Sequence, residues 1–290
     1  MKTLKDIESL MEEYGLSEFY EEIKKTVRNA VYMDLEPVSD DGIPVGTSKM
    51  GGLPDLPKNV DWFRQDLTDV PLSFICQINF AEIKQYDTAD RLPSKGMLYF
   101  FYDCSMDGMP WGFDPNDGDG KVVYYYDGEL SELERREAPE DIEENGCVFG
   151  SAALRFETAL DLPDWKNFVV ESLIVKKDDR DQYFEMLYET MSESLVNKLL
   201  GHSNNIQGGM EDECEFVTNG LYCGDSSGYK EGVARGLDKN IGQWNLLLQV
   251  DSNEDLGMMW GDCGRLYLWI TDEDLAAKNF EAAWLILQCG

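Results

Sequence analysis

The feature that most restricts the fold is an order of four elements that occurs twice. In the first half Met50-Gly51-Gly52-Leu53 precedes Phe74-Ile75-Cys76-Gln77-Ile78-Asn79. Gly96-Met97-Leu98-Tyr99-Phe100-Phe101 follows, and the run from Val122 to Tyr126 closes the set. In the second half Gln207-Gly208-Gly209-Met210 precedes Leu246-Leu247-Leu248-Gln249-Val250-Asp251. Gly264-Arg265-Leu266-Tyr267-Leu268-Trp269 follows, and Ala283 to Gln288 closes that set. The interval from glutamine to glycine is 19 residues in one copy (Gln77 to Gly96) and 15 in the other (Gln249 to Gly264). Residues 211–240 fill a longer insertion before Gln249. Such a repeat predicts two similar β-rich units about an approximate two-fold axis.

The expected fold class is therefore α+β. Largely antiparallel β-sheets come from two pseudo-symmetric repeats, with N-terminal helices and a long connecting helix. Residues 1–290 form a single domain: helices over 1–35, a first repeat over 36–127, a connecting segment over 128–205 and a second repeat over 206–290. Leu4, Ile7, Leu10 and Met11 recur at helical steps until Gly15. Ser17 is the expected N-cap of a second helix with the stripe Phe19, Tyr20, Ile23, Val27 and Val31. The long helix is expected from Asp179 to Leu200, where Tyr183, Leu187, Met191, Leu195 and Leu199 recur every four residues and Gly201 ends it. Shorter helices are expected at 211–219 and 229–240. Strands are expected at 72–78, 96–102, 121–126, around 153–157, and at 244–250, 265–270 and 282–289. Asn79 is placed to cap a short helix through Tyr86.

The chain carries 57 acidic and 25 basic side chains, a net charge of −32, with one histidine. Hydrophobic residues make up 43% and aromatics 12%, so the charge rides on a folded chain rather than a disordered acidic one. That field disfavours phosphate-contacting nucleic-acid binding and docking on anionic membranes. No apolar run reaches the roughly 18 residues of a spanning helix. The first residues turn acidic at once and offer no secretory h-region. Cys76, Cys104, Cys147, Cys214, Cys223, Cys263 and Cys289 form no CxxC pair, which reads as buried thiols in a reducing cytoplasm.

A single histidine limits familiar catalysis. Any triad or proton shuttle would have to use His202, which reads as a polar residue after the C-cap of the long helix. Gly224-Asp225-Ser226-Ser227-Gly228 matches the nucleophile-elbow string, yet no histidine follows Ser226. Asp114 to Gly120 resembles a calcium loop but misses the EF-hand ligand positions, with Gly118, Asp119 and Tyr125 where an oxygen ligand, glycine and glutamate belong. Neither Gly51-Gly52 nor Gly208-Gly209 fits a phosphate fingerprint. No catalytic residue, metal ligand or cofactor is assigned. Each repeat does place a glutamine in an otherwise apolar strand. A buried amide must find partners, so Gln77 and Gln249 either tie down their Gly-Gly loops or point into a shared cleft. Trp62, Trp111 and Trp260 flank Gly or Asp and are expected at or near the surface, whereas Trp269 and Trp284 are expected in the core.

The stretches Gln243 to Ser252, Trp260 to Ile270, Asp274 to Ala277, Trp284 to Cys289 and Gly220 to Asp225 resemble the YwqG-like family of bacterial proteins, whose function is unknown. Leu72 to Asn79 and Gly96 to Phe101 fit that family's other block. The resemblance covers most of the chain beyond about residue 40. It implies an α+β fold with antiparallel sheets and no particular reaction. Related domains resemble members of toxin-immunity repertoires, which implies protein binding. The leading expectation is a non-catalytic, cytoplasmic, acidic protein that binds a basic protein partner and is immunity-like. The alternative is an enzyme or small-molecule binder using a cleft between the repeats, where Gly51, Gly52, Trp62, Gln77, Gly208, Gly209, Gln249, Trp260 and Asp262 would converge.

Overall fold

The computed structural model describes residues 1–105, 108–142, 146–190 and 196–290. The strands in chain order are β1 Arg28–Pro37, β2 Lys49–Met50, β3 Asp55–Pro57, β4 Ser73–Asn79, β5 Met97–Tyr102 and β6 Lys121–Tyr126. They continue as β7 Leu133–Arg135, β8 Ala152–Asp161, β9 Lys198–Leu200, β10 Trp244–Asp251, β11 Arg265–Thr271 and β12 Trp284–Gln288. Ten of them form one sheet in the order β12-β11-β10-β9-β1-β8-β2-β4-β5-β6, and β3 pairs with β7. Each pairing is antiparallel. The fold is a mixed α+β one with a nearly closed, barrel-like sheet. Its edges approach through the 3₁₀ turn Phe280–Ala282, where Phe280 meets Tyr125 with ring centroids 5.1 Å apart.

The apolar runs lack clean alternation because both faces of β4, β5, β10 and β11 are covered. Val31, Met33, Cys76, Ile78, Leu98, Phe100, Leu248, Val250, Leu266 and Leu268 share one core inside the curved sheet. Phe74, Tyr99 and Phe101 pack outward under Leu56, Leu72 and Leu133. Leu246, Tyr267 and Trp269 pack outward under Met210 and Cys214, which belong to or adjoin the helix Glu211–Thr218. A fourth apolar group joins the helix Leu4–Glu13 to the helices Phe168–Leu173 and Lys177–Thr190 through Ile7, Met11, Val170, Tyr183 and Met186. Burial of apolar surface at about 25 cal/mol per Å² makes these layers the main stabilising term.

The N-terminal helix stands where expected, closed by a Thr3–Asp6 capping box. Asn79 caps the helix Phe80–Ile83 by accepting from the Ala81 N–H. Two expected helices are corrected. The second N-terminal stripe forms only the short turns Ser17–Phe19, Tyr20–Ile23 and Lys24–Thr26, and no Ser17 side-chain cap forms. Residues 28–37 become β1, because Ala30, Val31 and Met33 find the core by pairing with β8 and β9. The long helix is Lys177–Thr190, and Leu199 and Leu200 lie in β9. Met191 and Leu195 of that stripe lie outside the described residues. His202 therefore follows a strand, after two left-handed residues, Leu200 at φ 59° and Gly201 at φ 74°. Among the described residues no helix is long and apolar enough to cross a membrane.

Candidate functional site

The two glutamines are built into matching anchors. Gln77 lies in β4 opposite Lys49 of β2 and Tyr99 of β5. Its Oε1 accepts from the Asp55 N–H (2.8 Å), and its Nε2 donates to Thr47 O (2.8 Å) and Asp55 Oδ2 (2.7 Å). Gln249 lies in β10 opposite Lys198 of β9 and Tyr267 of β11. Its Oε1 accepts from the Asn204 N–H (2.9 Å), and its Nε2 donates to Val196 O (2.7 Å) and Asn204 Oδ1 (3.0 Å). Tyr99 donates to Asp55 O (2.5 Å) and Tyr267 to Asn204 O (2.7 Å). Both amides are fully buried, so their bonds avoid the cost of unmet polar groups.

Beside each glutamine lies a buried lysine paired with an aspartate. Lys49 Nζ donates to Asp40 Oδ1 (2.8 Å) and to the Leu53 carbonyl, and Asp40 Oδ2 accepts from the Leu53 N–H (3.2 Å). Lys198 Nζ donates to Asp161 Oδ2 (2.7 Å), which also accepts from the His202 N–H (2.9 Å). Burial lowers the pKa of each lysine, and its aspartate opposes the shift. Burial works to raise Asp161, but Lys198 and the His202 side outweigh it and hold the carboxyl below its ordinary value. Each pair ties a loop N–H to a strand. They are structural groups rather than free acids or bases.

Several candidate residues belong to this framework. Gly51 (φ 63°) and Gly52 (φ 70°) turn the chain after β2. A Cβ on Gly51 would lie 2.0 Å from Gly150 O, and one on Gly52 would lie 2.5 Å from Asp40 Oδ1. Gly201 (φ 74°) also sits against an aspartate: a Cβ there would lie 2.5 Å from Asp161 Oδ2. Gly208-Gly209 instead precedes the helix Glu211–Thr218, and Gly208 O accepts from Gln288 Nε2 (3.0 Å). Gln77 and Gln249 sit in strands separated by β2, β8, β1 and β9.

Trp260 is corrected from surface to core: it packs edge-on to Phe149 (5.6 Å) and Tyr102 (6.0 Å). Trp62 is half-buried and donates to Leu72 O (2.7 Å), Trp111 is half-buried against the core, and Asp262 is exposed. Trp269 is core as expected, while Trp284 is half-buried and donates to Gly112 O (2.8 Å). The thiols are not uniformly buried: Cys104 and Cys147 are half-buried and Cys263 is exposed.

The other motifs are spent on local structure. His202 is buried, with Nε2 at 2.7 Å from Thr26 O, and burial first, then the Arg28 charge, lowers its pKa to about 3. Asp225 caps the helix Ser226–Arg235 by accepting from the Ser227 N–H (2.7 Å). In the acidic loop, Asp117 accepts from the Gly112 N–H and Asp119 from the Asp66 N–H. Among the described residues no group of three or more His, Cys, Asp or Glu side chains is placed to hold a metal ion.

A cavity of about 350 Å³ opens beside the second anchor. Its polar side includes Glu157, Asp161, Asp164 and Asn204. Its aromatic side includes Tyr32, Trp165, Phe184 and Tyr188. Trp165 meets Phe184 edge-on (5.7 Å), and Phe184 stacks on Tyr188 (6.2 Å). Phe184 is 45% and Tyr188 67% exposed, a large apolar surface at the mouth. Burial pushes Asp164 up to about 6, against N–H groups of Lys166 and Asn205. The sequence reading missed this site, because its walls come from β1, β8, the 162–165 turn, one helix and the 203–205 loop, which are far apart in the chain. The spacing of Phe184 and Tyr188 on that helix, with Trp165 upstream, was the one signal present.

Residues 48–289 match the family model described as a domain of unknown function, DUF1963. The chain belongs to the DUF1963 family. The DUF1963 match includes both glutamines, both lysines and the polar side of the cavity, whereas Thr47, Asp40, Tyr32 and the helix Leu4–Glu13 precede it. No curated protein matches the chain.

Proposed function

We propose that this DUF1963 chain is a non-catalytic acidic binding protein of the cytoplasm that captures a basic polypeptide. The carrying observation is the acidic helical surface beside the cavity. Glu13 of the helix Leu4–Glu13 and Glu185 and Glu189 of the helix Lys177–Thr190 converge on Tyr14. The hydrogen bond with Glu189, then burial, then these charges push that phenol up to about 12. Carboxylates held this close raise the local field for a basic partner and speed its encounter. An immunity-like role toward a basic toxin is one version. Some of the acidity has another use: Asp55, Asp161, Glu211 and Glu215 are buried and hydrogen-bonded.

We also read the chain as a duplicated unit of the YwqG-like kind. Thr47, Lys49, Gly52 and Asp55 are related to Val196, Lys198, Gly201 and Asn204 by one constant sequence offset, and each glutamine meets its loop through the same set of bonds. The shared offset supports pairing Leu200-Gly201, rather than Gly208-Gly209, with Gly51-Gly52 in this reading.

The test is affinity capture at low and moderate salt with the full chain and with a variant carrying Glu13→Gln, Glu185→Gln and Glu189→Gln. A basic polypeptide held by the parent, released by salt and lost by the variant is the expected result. Equal retention by the variant, or no basic partner at either salt, refutes the reading. The cleft reading has less behind it: each glutamine is consumed by its own loop, and Trp260 lies in the core.

A further inference from the structure

A guanidinium sits beside the first glutamine anchor, and a cavity opens beside the second. Arg135 Nε donates to Asp55 Oδ1 (2.9 Å), Nη2 to Ile43 O (2.9 Å) and Nη1 to the Asp40 carbonyl. The duplication gives each of these acceptors a counterpart. Asp55 corresponds to Asn204 through the glutamine and tyrosine bonds. Asp40 corresponds to Asp161 through the lysine bond and the loop N–H. Ile43, three residues after Asp40, corresponds to Asp164, three residues after Asp161. Asp161, Asp164 and Asn204 all line the cavity.

From this correspondence we infer that the cavity is a binding site for a guanidinium group, supplied by an arginine side chain of a polypeptide. The inference rests on the duplication and deepens the basic-partner reading. Charge is kept across the two halves. The first has carboxylates at Asp40 and Asp55; the second has them at Asp161 and Asp164, while Asn204 Oδ1 is taken by Gln249 Nε2 (3.0 Å). Arg265 does not fill the place: its Nε turns to Asp251 (2.9 Å) and its Nη1 meets the Asn204 carbonyl (2.9 Å).

The walls favour the same ligand. A planar guanidinium stacks on aromatic faces and bonds carbonyls and carboxylates in one plane, which a compact ammonium does less well. Two walls already stand over cations: Lys198 Nζ lies 5.3 Å from the Tyr32 ring centroid and Lys166 Nζ 5.0 Å from that of Trp165. Free arginine would bring its α-carboxylate against Glu157, Asp161 and Asp164. An arginine within a chain brings none. Phe184 and Tyr188 are placed to cover the aliphatic stem.

The test titrates the full chain with N-acetyl-arginine amide, N-acetyl-lysine amide and free L-arginine, following the Trp165 indole N–H by NMR. Saturable binding of the capped arginine, about tenfold tighter than the other two, is expected. Asp164→Asn and Phe184→Ala should each weaken it about tenfold while both variants stay folded at the titration temperature. Equal binding of the lysine probe, no saturable shift, or indifference to both variants overturns the guanidinium assignment. Tighter binding of free arginine overturns the polypeptide source. Capture of a basic polypeptide that persists in both variants sinks the cavity assignment and spares the partner reading. Capped-arginine binding without any captured polypeptide does the reverse.

Discussion

Lys198 donates from Nζ to Asp161 Oδ2 at 2.7 Å, with the lysine side chain wholly buried. The aspartate's other oxygen accepts from Tyr32 Oη (3.2 Å), so one ion pair ties β9, β8 and β1 at the centre of the sheet. Breaking such a pair from one side leaves a buried carboxylate without its counter-charge. Lys198→Met should cost about 3–5 kcal/mol of unfolding free energy, measured by urea titration. A loss below about 1 kcal/mol, the range of exposed pairs, would show that the pair is solvated.

The glutamine anchors should behave alike. Gln77→Leu strands the Asp55 N–H and Thr47 carbonyl, and Gln249→Leu strands the Asn204 N–H and Val196 carbonyl. Each loss should destabilise the fold by about 1–3 kcal/mol per stranded group. Chemical unfolding of the two variants side by side checks this. A near-neutral effect in one half alone would break the correspondence between them.

The two Gly-Gly pairs should behave differently. Gly51 has positive φ and a Cβ there would lie 2.0 Å from the Gly150 carbonyl, whereas a Cβ on Gly208 meets nothing within 4 Å. Gly51→Ala should lose about 2–5 kcal/mol, and Gly208→Ala should stay within about 0.5 kcal/mol of the parent. Thermal melts of both variants decide it, and similar shifts would contradict the geometry.

His202 should set part of the acid sensitivity. Its native pKa is lowered to about 3, against 6.5 for the free side chain. Between those values the unfolded chain binds a proton that the native state refuses. Its contribution to stability is therefore complete above the upper value and shrinks as pH falls toward the lower one, at up to about 1.4 kcal/mol per pH unit. Asp164, raised to about 6, slopes the other way, losing its contribution as pH rises through that value. His202→Gln should flatten the decline in unfolding free energy between roughly pH 6 and 4. An unchanged slope in urea titrations would assign the acid sensitivity to other groups.

The strands were legible because their apolar runs had to be buried whatever they paired with. Asn79 as a cap and Gln77 as a loop anchor were legible for a related reason: a polar group in an apolar run has few ways to be satisfied. β1 was not legible. Val27 and Val31 sit four apart and mimic a helical stripe, and only pairing with both β8 and β9 makes the extended form better.

Side-chain chemistry at each position is enough to set the apolar segments, the acid excess and the need of the two strand amides for partners. Which loop each amide holds, that Gly208-Gly209 is bonded by Gln288 and not by Gln249, and that Asp161, Asp164 and Asn204 share a cavity with Trp165 and Phe184 came from tertiary packing. Those relationships join residues distant in the chain, and long-range pairing energy, not local preference, selects among them.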